Sequence, residues 1–501
     1  MGRLPRPLSH GKSVSLWHPW LDTPGAPYPL ATWDGRHVLT PLGRVLFTPD
    51  SIDSLAQFVA QEHLFLFAHD LLRASEFPLG LNRLLGITTP YISGADHLIA
   101  LQCTKKHGKG YIIQGSTWKW EAVPNIDMLE KLAYIFARFG FQATTPASLS
   151  EKVLRHHLPP TLRISRPSVM VRTAILDNQK GGRIDESLSH TLWQSMYQYD
   201  RVKAYPAESQ LTPSPYTAPR FCVSPSLEQV MGFITGYWQV TLVAVETPIS
   251  PLLLDGKVPV HGESFTGWFW TEEIADALEA GYQLVEIACG YGWRELSNWL
   301  VPWIDTLLAE FQRASDPYVE AVIKSMMVAL PGRFLRKPEK LTLVPLADAH
   351  PPLDKILCFR HTSDIDLFIS EWAVHPTYDK ESTALSYIGS YIVMKQRQEL
   401  YHRMRDEHRA GNVVIRSYID MFATARPTRY PELLGTGLGM YKERVYGLTL
   451  TESNRFVGMN AETGLLDMCA PGMHDAPSAS ERLAFYQRYY RACETPVTSF
   501  A

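Results

Sequence analysis

Two strand-like runs, each ending in one isolated carboxylate, flank a pair of helices, and that order constrains the fold more than any other feature of the chain. The first run closes on Asp200 in Tyr199-Asp200-Arg-Val-Lys-Ala-Tyr205-Pro206, and the second, Val413–Ile419, delivers Asp420. Between them the sequence predicts helices over Val301–Ala314 and Pro317–Ala329, divided by Asp316 as N-cap and Pro317 at the first helical position. So short a turn packs two helices antiparallel. Lys324 lies on the second helix, 124 residues after Asp200 and 96 before Asp420. At 501 residues the chain should hold two or three domains with a real core.

An acid, a lysine helix and a second acid suit metal-dependent phosphoryl transfer. Asp200 and Asp420 would hold two Mg²⁺ (or Mn²⁺) ions, which in-line displacement places about 3.5–4 Å apart. Lys324 would grip a triphosphate as a point charge, with Arg313 on the partner helix as a second grip. The turn after Asp200, with Arg201 and Val202, would present its backbone to the triphosphate, and Tyr205 would lie under the sugar. The plainer alternative is an ordinary strand end and a helical hairpin with surface charges.

Composition narrows the alternatives. Hydrophobic residues at 45 % and charged residues at 20 % describe an ordinary globular chain. Runs such as Val322 to Pro331 are too short to span a bilayer, and no apolar leader follows Met1, so a cytoplasmic protein without a membrane partner is expected. Six scattered cysteines with no C-x-x-C pair argue against a zinc module or a disulfide framework. The net charge of −3 hides local basic patches at Lys152–Arg172 and around Arg333, Arg336, Lys337 and Lys340, which could hold phosphates.

Elsewhere the pattern predicts a helix over Asp127–Phe139 ended by Gly140, a Pro-rich linker over 159–168, and strands at Val169–Leu176 and Thr241–Thr247. It also predicts an extended Pro-rich path from Pro206 to Pro225, a helix from Thr271 to Ala280 ended by Gly281, and a long helix over Ser382–His408.

The order Asp200, Lys324, Asp420 resembles motifs A, B and C of family-B DNA polymerases. Further segments resemble the protein-primed branch: Thr145-Pro-Ala-Ser-Leu149, Gly181-Gly182-Arg183, Phe269-Trp-Thr-Glu-Glu-Ile274 with Gly281-Tyr282, Tyr391–Leu400 with Arg397, and Leu438-Gly439-Met-Tyr-Lys442-Glu443. Coverage runs from about residue 140 to 460. The resemblance implies an α/β and α+β multidomain chain, a degenerate RNase H-like exonuclease domain followed by a right-hand polymerase. Its layout would be 1–160 exonuclease-like, 161–300 palm with motif A and an insertion, 301–334 fingers, 335–410 an insertion and a helix returning to the palm, 411–460 palm with motif C, and 461–501 a reduced thumb. The expected partners are template-primer DNA and dNTPs. Gly181, Gly182, Arg183 and Lys442 would meet DNA, and the region after motif A has room for an insertion that contacts a terminal protein. The priming mode stays open.

Three departures matter. Where the family reads Asp-Thr-Asp, this chain has Tyr418-Ile-Asp420-Met-Phe422. Asp420 matches either the second acid, with Tyr418 replacing the lesser one, or the first, with Phe422 replacing the principal ligand; the strand register favours the former. Motif B keeps Lys324 and Gly332 but has Val328, Ala329 and Pro331 in place of Asn, Ser and Tyr. In the N-terminal region Asp22 lacks its Glu partner, Asp70 replaces Asn and Ala74 an acid, while Asp127 alone matches the third exonuclease motif, so proofreading is expected to be absent. Decay of motifs B and C motivates the alternative of a non-catalytic pseudo-polymerase that binds nucleic acid or a partner.

Overall fold

The computed structural model describes residues 30–33, 37–40, 44–48, 52–68, 91–93, 98–105, 108–114, 126–143, 146–185, 191–254, 257–335, 339–345, 356–362, 365–373, 385–452, 455–469 and 479–494. The chain divides into two units that are each discontinuous in sequence. One takes residues 1–162, 166–173 and 302–385, the other 163–165, 174–301 and 386–501.

In the first unit a seven-stranded sheet runs in the order Val45–Phe47, Val38–Leu39, Leu30–Trp33, Phe65–Ala68, Gly108–Gln114, Leu98–Lys105, Tyr91–Ser93. Leu30–Trp33, Phe65–Ala68 and Gly108–Gln114 are mutually parallel, and the outer pairs antiparallel. Parallel neighbours need a crossover, and helix Ile52–Gln61, with Leu55, Val59 and Ala60 buried, precedes Phe65–Ala68. A three-stranded antiparallel sheet of Glu339–Pro345, Ile365–Ala373 and Ile356–Thr362 occupies part of the extra length between Lys324 and Asp420.

The predicted helices of this unit form as Ile126–Phe139, Val301–Arg313 and Pro317–Phe334, and Pro146–His157 is a further helix. Asp316 caps the last by accepting from the Tyr318 and Val319 amides at 2.9 and 3.1 Å. That helix passes its expected end near Ala329 and includes Pro331, which cannot donate to the carbonyl one turn back. Its last turn is held instead by burial of Leu330, Pro331 and Phe334 and by an ion pair from Arg333 to Glu151 on helix Pro146–His157. Part of the basic patch at Lys152–Arg172 is likewise committed internally: Arg155 pairs with Glu151 at 2.8 Å and Lys152 donates to the Gln142 carbonyl at 2.9 Å. Val169–Asp177, expected as a strand, is a helix, because Ser168 accepts from the Val171 amide at 3.3 Å and starts a turn.

The second unit is built on an antiparallel sheet in the order Leu466–Cys469, Arg455–Asn460, Tyr441–Glu452, Met196–Arg201, Met421–Thr424, Val414–Ile419, Arg183–Asp185, with Thr191–Trp193 also pairing Tyr441–Glu452. Helix Ser386–Arg409 packs on it through Leu400 and Met404, which share a core with Tyr199, Val414, Phe422 and Tyr441. A second, four-stranded sheet runs Arg220–Val223, Gln283–Trp293, Thr235–Val243, Ser264–Trp270, with helix Thr271–Glu279 on the face of Trp238, Val240, Leu242 and Phe269. The path from Pro206 to Pro225 is not wholly extended. Pro206 sits in the first turn of helix Ala204–Leu211, where its missing N–H has no helical acceptor to lose, and short strands Ser214–Pro215 and Arg220–Val223 follow.

Glu151 is only 7 % exposed and answers two arginines. Removing it leaves Arg333 without its counter-charge, so Glu151→Ala should cost about 3 kcal/mol or more. A fall in the denaturation midpoint of the purified protein measures it; a midpoint within about 0.5 kcal/mol of the parent would show that packing alone holds the last helical turn.

Candidate active site

Asp200 is the penultimate residue of the central strand Met196–Arg201 and has neighbours on both sides. It stands opposite Met421 in one and Lys442 in the other. One residue on, the Arg201 amide donates to the Asp420 carbonyl at 3.0 Å. The two acids, 220 residues apart in sequence, are therefore carried at the same end of adjacent antiparallel strands.

Asp420 occupies a tight hairpin turn between Val414–Ile419 and Met421–Thr424, its amide donating to the Tyr418 carbonyl at 2.7 Å. The turn forces Ile419 to φ 55°, a left-handed conformation that a β-branched residue adopts at a cost of about 1–3 kcal/mol. Phe422 is buried against Tyr199 at 5.1 Å between ring centroids and faces Tyr441, so it lies inside the core under the helix. Tyr418 pairs with Met421 across the hairpin and with Ile184 beyond it.

Arg201 and Val202 are committed to internal partners. The Arg201 guanidinium is buried and donates to Glu208, to Gln396 Oε1 at 2.5 Å and to the Gly439 carbonyl at 3.2 Å. The Val202 amide donates to the Met440 carbonyl at 2.7 Å, and its carbonyl accepts from Gly439 at 2.9 Å. Arg201 thus clamps the following helix, through Glu208, to helix Ser386–Arg409, and the amides expected to face a phosphate are taken by the Asp420 and Met440 carbonyls. The next amides along, at the start of helix Ala204–Leu211, follow Lys203, which is left-handed (φ 49°) and makes no side-chain cap.

Tyr205, in that first turn, is half-buried. Burial pushes its hydroxyl up to about 12; the Asp420 charge adds to the shift and Arg397 opposes it. Its ring therefore sits within electrostatic reach of Asp420 and stays a neutral phenol across the working range.

The Gly-Gly turn joins the site from the far edge. Arg183 pairs with Ile419, and Gly182 lies directly against the hairpin tip. Arg397 fixes this turn by donating to the Lys180 and Gly181 carbonyls at 2.9 and 3.0 Å and to Glu273 at 2.7 Å. Glu273 also accepts from the Trp270 amide at 3.1 Å, and Lys180 stands over the Phe269 ring at 3.0 Å. Burial works against the Glu273 carboxylate, but Arg397 and Lys180 outweigh it and hold the group below the usual carboxylate range. A cavity of about 440 Å³ opens beside this turn, lined by 177–183, Trp268, Glu273 and Arg397.

Arg313 and Lys324 belong to the other unit. Arg313 is exposed and pairs with Glu310 at 2.7 Å, a carboxylate that also takes Arg138 in two hydrogen bonds; Lys324 is exposed on helix Pro317–Phe334. Lys442 is exposed beside Asp200. Nothing in the sequence marks Glu208 and Gln396, whose roles exist only once the helices pack. Glu273 and Arg397 are visible as motif residues, but their pairing is not. Asp22, Asp70 and Ala74 lie outside the described residues.

The donor set fits a hard divalent cation shared with a substrate. Among the described residues no three or more His, Cys, Asp or Glu gather as a metal cage. Two carboxylates at one end of adjacent strands match Mg²⁺, which is held by one or two protein carboxylates and completed by phosphate oxygens and water.

The family model of DNA polymerase type B, organellar and viral, matches residues 125–352, a span that includes Asp200, Tyr205, Arg313 and Lys324. No curated protein sequence matches the chain. Among solved structures it is similar to phi29 DNA polymerase complexed with primer-template DNA and incoming nucleotide substrates, at 13 % identity and TM-score 0.64 over 87 % of this chain and 89 % of that one. A post-translocation binary complex of the phi29 enzyme matches at 13 % identity and TM-score 0.65, over 90 % and 93 %, and an orthorhombic crystal form at 13 % and 0.62, over 89 % and 90 %. At such identity the structures speak for the fold, a mixed α/β fold of the phi29 type. No helix among the described residues is long and apolar enough to cross a membrane. The central segment, residues 125–352, is thus similar to the organellar and viral type-B DNA polymerases, and most of the chain shares the fold of the phi29 enzyme.

Proposed function

We propose that the chain carries out template-directed nucleotidyl transfer from dNTPs at Asp200 and Asp420 by a two-metal mechanism, without 3′–5′ proofreading. The observation that carries this is the arrival of both acids, from 220 residues apart, at one end of adjacent strands. It also supports reading Asp420 as the second acid of motif C, since Phe422 is used in the core. The retained pair weighs against a non-catalytic role.

When bound, Mg²⁺ or Mn²⁺ ions would supply Lewis-acid stabilisation of the attacking and leaving oxygens. The chain's own residues do the rest. Asp200 and Asp420 would hold those cations at the end of the strands where the acceptor hydroxyl and the α-phosphate meet. Amides at the start of helix Ala204–Leu211 face the triphosphate in place of Arg201 and Val202. Lys324 and Arg313 neutralise its outer charges, Arg313 exchanging Glu310 for phosphate. Tyr205 lies under the sugar. Lys442 and the Gly181-Gly182 turn meet the DNA backbone, whereas Arg183, 2 % exposed and set over the Tyr401 ring, is taken by the protein interior and not by DNA; the phi29 structures with primer-template DNA support DNA and dNTPs as partners.

On this reading residues 161–300 and 411–460 form the palm, 301–334 the fingers, 335–410 an insertion with the returning helix, and 461–501, with helix Ala479–Glu494, the reduced thumb. Residues 1–160 are taken as an exonuclease-like domain, a reading that the parallel strands and crossover helix support. Priming by a terminal protein accords with the resemblance to the protein-primed branch.

Asp200→Asn or Asp420→Asn should each abolish primer extension by at least about 10³-fold while DNA affinity stays near the parent value. Normal extension by Asp420→Asn would remove it from the metal site. Labelled single-stranded DNA incubated with Mg²⁺ or Mn²⁺ should keep its length; progressive 3′ trimming that Asp127→Ala abolishes would show a working exonuclease. Tyr205→Ala should raise ribonucleotide use relative to deoxyribonucleotide use by about 10²-fold, equivalent to roughly 2.7 kcal/mol of discrimination. If both efficiencies fall alike and the melting temperature drops, Tyr205 serves packing and not the sugar.

A further inference from the structure

Gly181 and Gly182 are neighbours in sequence and opposites in surroundings. A methyl group added at Gly181 would meet nothing within 4 Å. At Gly182 the same methyl would stand 2.8 Å from Ile419 Cγ2, 2.9 Å from its Cα and 3.0 Å from its Cβ. One of those three atoms belongs to the backbone, so no rotamer change of Ile419 relieves the clash.

Ile419 in turn has little freedom. It is the left-handed residue of the hairpin turn, immediately before Asp420, and its strand is tied to Arg183 by sheet pairing. The Gly182 side is equally restrained, since Arg397 holds the carbonyls of Lys180 and Gly181 while anchored on Glu273. Two restrained backbones therefore meet at van der Waals distance one residue from a carboxylate whose place beside Asp200 the site requires.

We propose that Gly182 is a positioning residue for metal binding: its lack of a side chain lets the hairpin tip seat Asp420 beside Asp200, and the Arg397 clamp keeps the turn pressed against that tip. This gives the two glycines separate roles, Gly181 facing outward where a DNA strand can approach and Gly182 facing the metal site. It rests on Asp420 being a ligand in the polymerase reading. A shift of the tip by about 1 Å is enough to cost about 10²-fold in rate.

The test uses the full chain and two readouts: primer-extension kinetics across Mg²⁺ and Mn²⁺ concentrations, and Mn²⁺ affinity followed by the free-ion EPR signal in the presence of primer-template and a non-hydrolysable dNTP. Gly182→Ala should lower kcat about 10²-fold, raise the metal concentration for half-maximal rate, and weaken Mn²⁺ binding about tenfold, a difference near 1.4 kcal/mol, with primer-template affinity unchanged. Adding Ile419→Gly, which removes the side-chain part of the clash and relaxes the left-handed turn, should restore part of both. Gly181→Ala should change primer-template affinity at most and leave the metal requirement alone. If Gly182→Ala fails to fold, Arg397→Lys carries the test, because a shorter side chain ending in one nitrogen cannot span the two carbonyls and the carboxylate that the guanidinium reaches from two separate nitrogens, and it too should raise the metal requirement.

Unchanged Mn²⁺ affinity in a folded Gly182→Ala protein would overturn the inference, as would loss of DNA affinity alone, or an equal metal effect in Gly181→Ala. An inactive parent chain that binds no Mn²⁺ would instead overturn the polymerase reading beneath it.

Discussion

Arg397 reaches with one nitrogen to the carbonyls of Lys180 and Gly181, which lie 217 and 216 residues away in sequence, and with the other to Glu273, 124 residues away. Those three bonds bind the entry to the sheet, the start of helix Thr271–Glu279 and the long helix Ser386–Arg409 into one corner. The planar fork suits the task, one nitrogen taking both carbonyls and the other the carboxylate. The carboxylate is 7 % exposed, so losing either partner would strand a charge in a low-dielectric place at a cost of about 3–5 kcal/mol. What rests on this corner is the hairpin tip, because the turn that Arg397 holds is the one against which Ile419 packs. The strain in Ile419 is thus opposed by contacts that begin at a buried ion pair.

A second fixed point lies under Asp200. Arg201 carries its backbone into the Asp420 carbonyl and its side chain into Glu208 and Gln396, so one residue both pairs the acid strands and docks two helices beneath them. Tyr199 does the same from the other side, donating to Glu443 at 3.0 Å and accepting from the Thr428 amide at 2.7 Å while its ring packs on Phe422. Asp200 stands between two residues with no freedom to move, and a carboxylate so placed is aimed by the strand that carries it.

Much of this is legible in the sequence because it is local. Asp316-Pro317 announces a helix start, Gly140 and Gly281 announce helix ends and both take positive φ, and the run from Val413 announces a strand that ends at its acid. What escapes is either hidden by a stronger local habit or decided by packing. Val169–Asp177 is rich in Val and Ile, yet Ser168 caps it as a helix. Pro206 and Pro331 both sit in helices, the first where its missing N–H loses no bond and the second where burial and Arg333 compensate. The basic residues mislead most: Arg201, Arg155 and Arg333 look like phosphate ligands along the chain, and each is taken by a glutamate, whether one helical turn away like Glu151 for Arg155 or brought near by the fold like Glu151 for Arg333.

On the proposed alignment, with Tyr418 where the family has an acid, the change is less damaging when the hairpin is considered as a charge arrangement. Three carboxylates at one strand end repel one another, and a site holding them must be loaded with cations or lose stability. With Asp200 and Asp420 alone, and Lys442 directly opposite Asp200, the fixed negative charge is smaller and partly offset. On the polymerase reading, two carboxylates bind a divalent ion weakly until phosphate oxygens complete its shell. On that reading metal loading would follow the arrival of the triphosphate, and the residues that secure the two acids against each other, Gly182 through the tip and Arg201 through the sheet, would matter more than in a site with a ligand to spare.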